Sequence, residues 1–196
     1  RSRGGSWAAT QNIPEYGREY SALRLPELQT QNPDAGPEDI VWRSETFSLI
    51  AAEQTRQEDV AARVGGPVLI CDTDALATCI WHERYMGSPN SDVEAIAAAM
   101  PPRALYLLTD VVGVPFDDDG LRDGEHLREW MDQRFRQVLG NQSVPWASLR
   151  GSPRARCTEA LARIDELVAQ AWRFELKTKP TSPTRGTFSI TKLDTA

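Results

Sequence analysis

The chain has 196 residues, 26% of them charged, and a formal net charge of -6. That length suits one compact domain, and the acidic balance argues against general nucleic-acid binding, which depends on Lys and Arg neutralising phosphates. No apolar run nears the roughly 20 residues of a membrane span, residues 1–10 lack the layout of a secretion signal, and three cysteines at no zinc-type spacing suit a reducing, cytosolic setting.

Residues 1–13 open on Arg-Ser-Arg-Gly-Gly without a methionine and read as a loop leaving an earlier helix, so the chain is expected to begin inside a domain, with a short strand ending at Ile13. Pro14-Glu-Tyr-Gly-Arg-Glu-Tyr20 leads into a polar helix, and the Asn-Pro, Asp and Gly-Pro signals of 31–37 mark a loop. Phe47, Ile50, Ala51 and Gln54 recur at helical spacing and predict an amphipathic helix over 44–63. Gly65-Gly-Pro67 breaks it. The run Val68-Leu-Ile-Cys71 is short and continuously apolar, the pattern of a strand buried on both faces in a parallel sheet. Leu76, Cys79 and Ile80 predict a helix over 74–86. Ser91-Asp-Val-Glu94 reads as a capping box with Ser91 at the N-cap, opening a helix that buries Val93, Ile96, Ala97 and Met100. Ala104-Leu-Tyr-Leu-Leu-Thr-Asp110 is a second apolar strand ending on an acid. The polar stretch 113–124 precedes a helix bearing Leu127, Trp130, Met131, Phe135 and Val138, and 143–149 supplies a third strand. Ser152-Pro153 starts a last helix, with Cys157, Leu161, Ile164, Val168, Ala171 and Trp172 on one face.

Strands alternating with helices predict an α/β three-layer sandwich with a mainly parallel sheet, occupying residues 1–174. The tail, 175–196, is rich in Thr, Pro, Lys and Ser, and is expected to be poorly ordered.

The chemistry concentrates at strand ends. Asp72 and Asp74 lie where the chain leaves a buried strand, at the ligand edge of a parallel sheet, and carboxylate oxygens there suit a hard cation such as Mg²⁺, directly or through water. The plainer reading of Asp72 is a cap for the following helix. Arg122 and Arg128 sit in the polar segment after the second strand, where a guanidinium can clamp phosphoryl charge; equally, they offset that segment's own acids. Glu15, Tyr16, Arg18 and Glu19 form a polar set suited to holding a ribose or a ring, or they begin a surface helix. His82 and Cys79, three apart, do not make a zinc site, and Trp81 with Tyr85 reads as helix packing. No Gly-x-x-x-x-Gly-Lys-Ser/Thr occurs in the chain.

Four strings in order, Pro14-Glu-Tyr-Gly-Arg-Glu-Tyr20, Leu69-Ile-Cys-Asp-Thr-Asp-Ala-Leu-Ala-Thr78, Glu83-Arg-Tyr-Met-Gly87 and Asp118-Asp-Gly-Leu-Arg-Asp123, resemble the ribosylnicotinamide kinase domain of NadR-type proteins. The resemblance implies a P-loop kinase fold, with its first strand and glycine loop missing from this chain, that transfers the γ-phosphoryl of ATP, with Mg²⁺, to nicotinamide riboside for NAD synthesis. It implies an upstream nicotinamide-nucleotide adenylyltransferase domain. It assigns Asp72 to the metal or the attacking hydroxyl, Asp74 to ribose hydroxyls or the metal, Arg122 and Arg128 to the lid, and Glu15, Tyr16 and Arg18 to the riboside pocket. By analogy, the absent strand belongs inside the sheet and leaves its neighbours with unpaired edges. Without the loop, transfer by this chain should be poor. Two alternatives remain: a non-catalytic nucleotide- or riboside-binding regulatory module, and another P-loop ATPase or nucleoside kinase.

Overall fold

The computed structural model describes residues 10–66, 68–114, 125–175 and 188–193. Five strands, β1 (Gln11–Ile13), β2 (Val68–Asp72), β3 (Leu105–Thr109), β4 (Trp146–Leu149) and β5 (Phe188–Leu193), form one sheet in the order β1-β2-β5-β3-β4, with every neighbouring pair parallel. The helices are α1 (Tyr16–Gln29), α2 (Ser44–Val64), α3 (Ala75–Met86), α4 (Ser91–Ala99), α5 (Arg128–Gly140) and α6 (Pro153–Glu175).

Strand alternation assigns the layers. Leu105, Leu107, Val68 and Ile190 face one way and pack on Ile164 of α6. Tyr106, Leu108 and Leu193 face the other way, against Ala77 and Ile80 of α3 and Met131, Phe135 and Leu139 of α5. Leu69 and Cys71 share that second face with Ala61 of α2. The expected α/β sandwich is therefore present, with its apolar strands buried on both faces. No helix among the described residues is long and apolar enough to cross a membrane.

The tail departs from expectation. Residues 188–193, expected to be poorly ordered, form β5 and enter the middle of the sheet, where β2 and β3 flank it. The gap expected beside β2 is closed, because Ile190, Thr191 and Leu193 are almost wholly buried and the strand pairs along both edges. A second correction concerns α4. Its N-cap is Asn90, not Ser91: the Asn90 side chain accepts from the backbone N–H groups of Asp92 and Val93, both at 3.0 Å. Asn caps as well as Ser and lies one residue earlier, so Ser91 is drawn into the first turn.

Trp81 and Tyr85 stack at 6.3 Å between ring centroids, with the Arg84 guanidinium 4.9 and 4.6 Å from the two rings, and Tyr85 also meets Trp42. His82 is buried. Its Nδ1 donates to the Ser88 carbonyl at 2.8 Å and its Nε2 meets Ser44 Oγ at 2.9 Å, so both nitrogens bind the start of α2 and the end of α3 into one unit. These residues are packing, as their helical spacing suggests.

The thiols differ sharply. Burial pushes the Cys71 thiol above its usual range and the Cys79 thiol up to about 12, whereas Cys157 is exposed. Because the thiolate is the reactive form, a disulfide reagent at pH 8 should titrate one thiol rapidly in the folded chain and the other two only on unfolding. A second fast thiol in absorbance traces would contradict this burial.

Candidate functional site at the strand carboxyl edge

Loops leaving the carboxyl ends of parallel strands are the ones that can surround a ligand. On the β1 side of the sheet this edge carries Glu15, Tyr16 and Arg18 at the start of α1, and Asp72 at the end of β2. Ile13 pairs with Cys71 and Asp72 with Lys192, which sets the ends of β1, β2 and β5 at one level, with neighbours about 4.8 Å apart. The Tyr16 N–H donates to Gln54 Oε1 at 2.8 Å and fixes α1 on α2. Burial, with Glu53 nearby, pushes the Tyr16 phenol above its usual range, so it is a hydrogen-bond donor at neutral pH.

Asp72 and Asp74 have opposite environments. Asp72 Oδ1 lies 3.6 Å from Lys192 Nζ, and both side chains are more than a third exposed, at 36% and 38%. A pair this exposed contributes under about 1 kcal/mol, so solvent or a ligand can replace it cheaply. Between the acids, Thr73 has φ 65, a left-handed backbone that a β-branched residue rarely adopts. Its N–H donates to the Lys192 carbonyl at 2.8 Å, so β5 holds the strained turn.

Asp74 is fully buried. Its Oδ1 accepts from the Ala77 N–H at 3.1 Å, which makes it the N-cap of α3. Its Oδ2 accepts from Arg103 Nε, the Tyr106 hydroxyl and the Thr191 hydroxyl, each at 3.1 Å. The ribose role expected of Asp74 is thereby corrected: no oxygen is left to face a cleft. The cap considered for Asp72 belongs to Asp74, because the left-handed Thr73 delays the helix by two residues.

Arg103 also donates to Glu58, whose carboxylate accepts from Gln54 Nε2 at 3.4 Å. One interior network thus links the start of α1, through Gln54, Glu58 and Arg103, to Asp74 and β5. Burial, with Asp74 nearby, pushes the Glu58 carboxyl above its ordinary range, against the pull of Arg103 and Gln54. Burial alone would lower the Arg103 guanidinium, but Asp74 and Glu58 outweigh it and keep Arg103 charged. No spacing in the sequence announces this arrangement, since its partners lie 29, 45 and 117 positions apart.

On the β4 side, Asp110 follows β3 and is nearly buried. It accepts from the Val112 N–H at 2.8 Å, from Arg150 Nε at 3.0 Å and from Arg136 Nη2 at 3.3 Å. Arg128 Nη1 donates to the Val114 carbonyl at 3.0 Å and ties the start of α5 to the segment after β3. Arg122 lies outside the described residues. Lys192, Asp110, Arg136 and Arg150 join this edge without having been singled out in the sequence; the one available signal was Asp110 ending an apolar strand. A cavity of about 390 Å³ lies at the other end of the sheet, lined by Leu76, Ile80, Met100, Arg103, Tyr106 and Val138 among others. It contains none of the sequence-predicted site residues and its walls are largely apolar, so the carboxyl edge is the stronger candidate.

A family model described as an AAA domain matches residues 6–156, a stretch that holds β1 to β4 and α1 to α5 and leaves β5 outside. No curated protein matches the chain, and no solved structure does.

Proposed function

The chain belongs to the AAA-domain family, and from that premise we propose that it is a nucleotide-utilising domain whose ligand binds at the strand carboxyl edge, and that the ligand is nicotinamide riboside, the acceptor in an ATP-dependent phosphotransfer. The observation that carries the reading is the partly exposed Asp72 at the end of β2, beside the end of β1 that leads into Glu15 and Tyr16, and followed by a strained turn. Glu15, Tyr16 and Arg18 would hold the riboside, and Arg128, with Arg122, would close over phosphate. The resemblance of four strings to ribosylnicotinamide kinase domains supports the choice of nucleoside.

Magnesium fits Asp72. A single accessible carboxylate is what this ion uses when phosphates and water complete its shell, and it would supply charge neutralisation there. The triphosphate does not fit. The sequence has no glycine-rich phosphate loop, and among the described residues the end of β5, beside β2, carries Lys192 toward solvent and Leu193 into the core. Because phosphoryl transfer is chiefly positioning and charge stabilisation, the form described here is a binder rather than an efficient kinase. The filled position beside β2 therefore favours a second reading, a non-catalytic riboside-binding module, with any phosphate cradle and adenylyltransferase partner supplied by residues outside this sequence.

Calorimetry with nicotinamide riboside, other nucleosides and Mg-nucleotide tests both readings. Nicotinamide riboside should bind most tightly of the nucleosides; tighter binding of another nucleoside overturns the substrate assignment. Asp72→Asn should weaken nicotinamide riboside binding in the presence of magnesium by about tenfold or more. Unchanged binding removes Asp72 from the site.

A further inference from the structure

We propose that the groove between β2 and β3 is a strand-binding site that accepts the segment 188–193 in trans, the donor being a second copy of this chain. The walls and the strand are separable in the sequence. Residues 68–72 and 105–109 lie inside the family-matched stretch 6–156, whereas β5 lies outside it. A span of twelve residues, 176–187, separates α6 from β5. At about 3.3 Å per extended residue that length reaches on the order of 40 Å, enough for β5 to dock on its own sheet or on a neighbour's.

Recognition in the groove is that of strand addition. Backbone pairing runs along both edges, from Val68 with Phe188 to Asp72 with Lys192 on one side and from Leu105 with Ile190 to Leu108 with Leu193 on the other. The rims add the Ala104 N–H donating to the Ser189 carbonyl at 2.8 Å and the Thr109 hydroxyl donating to the Leu193 carbonyl at 3.0 Å. Three side chains give selectivity. Ile190 enters the α6 face, Leu193 enters the α3 and α5 face, and the Thr191 hydroxyl donates to the buried Asp74. Ser189 is half-buried and Lys192 reaches solvent beside Asp72, so both tolerate change. The fitting partner is an extended segment reading Ile-Thr-x-Leu, and another copy of this chain carries it. Empty, the same groove exposes two unpaired strand edges, which is the condition for exchange between protomers.

The test starts from the full chain with a protease site inserted between Pro180 and Thr181. After cleavage, a fluorescein-labelled peptide of residues 186–196 should enter the nicked protein, raise its anisotropy and be displaced by unlabelled peptide. The Leu193→Ala peptide should bind about 30-fold more weakly, as loss of a buried leucine implies. The Thr191→Val peptide should bind about tenfold more weakly, since it removes one of the three donors to the buried Asp74 Oδ2. Uncut chain at high concentration should yield a strand-exchanged dimer in light scattering; monomer at every concentration overturns the second-copy donor. Release of the cut segment with no fall in Tm, or failure of the peptide to enter a few degrees below Tm, overturns the groove. If cleavage precipitates the protein, co-expression of residues 1–180 with residues 181–196 on a carrier decides: co-purification upholds the site and its failure refutes it.

Discussion

Arg103→Leu should destabilise the fold by about 3–5 kcal/mol, because it removes the shared counter-charge of two interior carboxylates. The Arg103 side chain is 3% exposed and its partners Glu58 and Asp74 are 5% and 0% exposed, so neither acid can turn to water without opening the core. The loss should depend on pH in a definite direction. Burial already raises the Glu58 carboxyl above its ordinary value of 4.5, and deleting the guanidinium raises it further. An acid whose folded pKa lies above its unfolded one adds stability that is complete below the unfolded value and is lost as pH rises through the folded one. Urea unfolding should therefore find the variant strongest near pH 4 to 5 and weakening toward pH 8, with a steeper slope than the parent. Adding Glu58→Gln and Asp74→Asn to the variant should recover part of the loss. A cost under about 1 kcal/mol, or a flat pH profile, would show that Arg103 is not the counter-charge.

Leu193→Ala should cost about 2–5 kcal/mol, the range for a buried leucine. Leu193 is fully buried against Leu108 and Phe135. Were the segment peripheral, the change would stay within about 0.5 kcal/mol, as surface substitutions do. Chemical denaturation of the single variant separates the two outcomes by a wide margin.

These two residues also mark what the sequence concealed. Val68 to Cys71 and Leu105 to Leu108 were legible as strands because continuous apolar runs have few other uses, and α2, α5 and α6 were legible because three- and four-residue spacing persists over several turns. Residues 188–193 were not. Phe188, Ile190 and Leu193 stand among Thr, Ser and Lys in a polar tail, and Thr191 becomes a core residue only by bonding Asp74, 117 positions away. At the candidate site the strand-end position of Asp72 was readable from its neighbours. The burial of Asp74 was not, because it depends on a single left-handed residue, Thr73, and on an arginine brought in by the loop before β3.

A sheet whose central member comes after all its neighbours in the polypeptide also dictates how the molecule must be made. The ribosome delivers β1, β2, β3 and β4 first, and at roughly 5–20 residues per second several seconds pass before β5 emerges to join them. During that interval two strand edges wait open in the nascent chain, and completion needs contacts between segments 117 positions apart, the slowest kind to form. Assembly of this sheet is therefore finished from the inside, only once β5 has followed the strands that flank it.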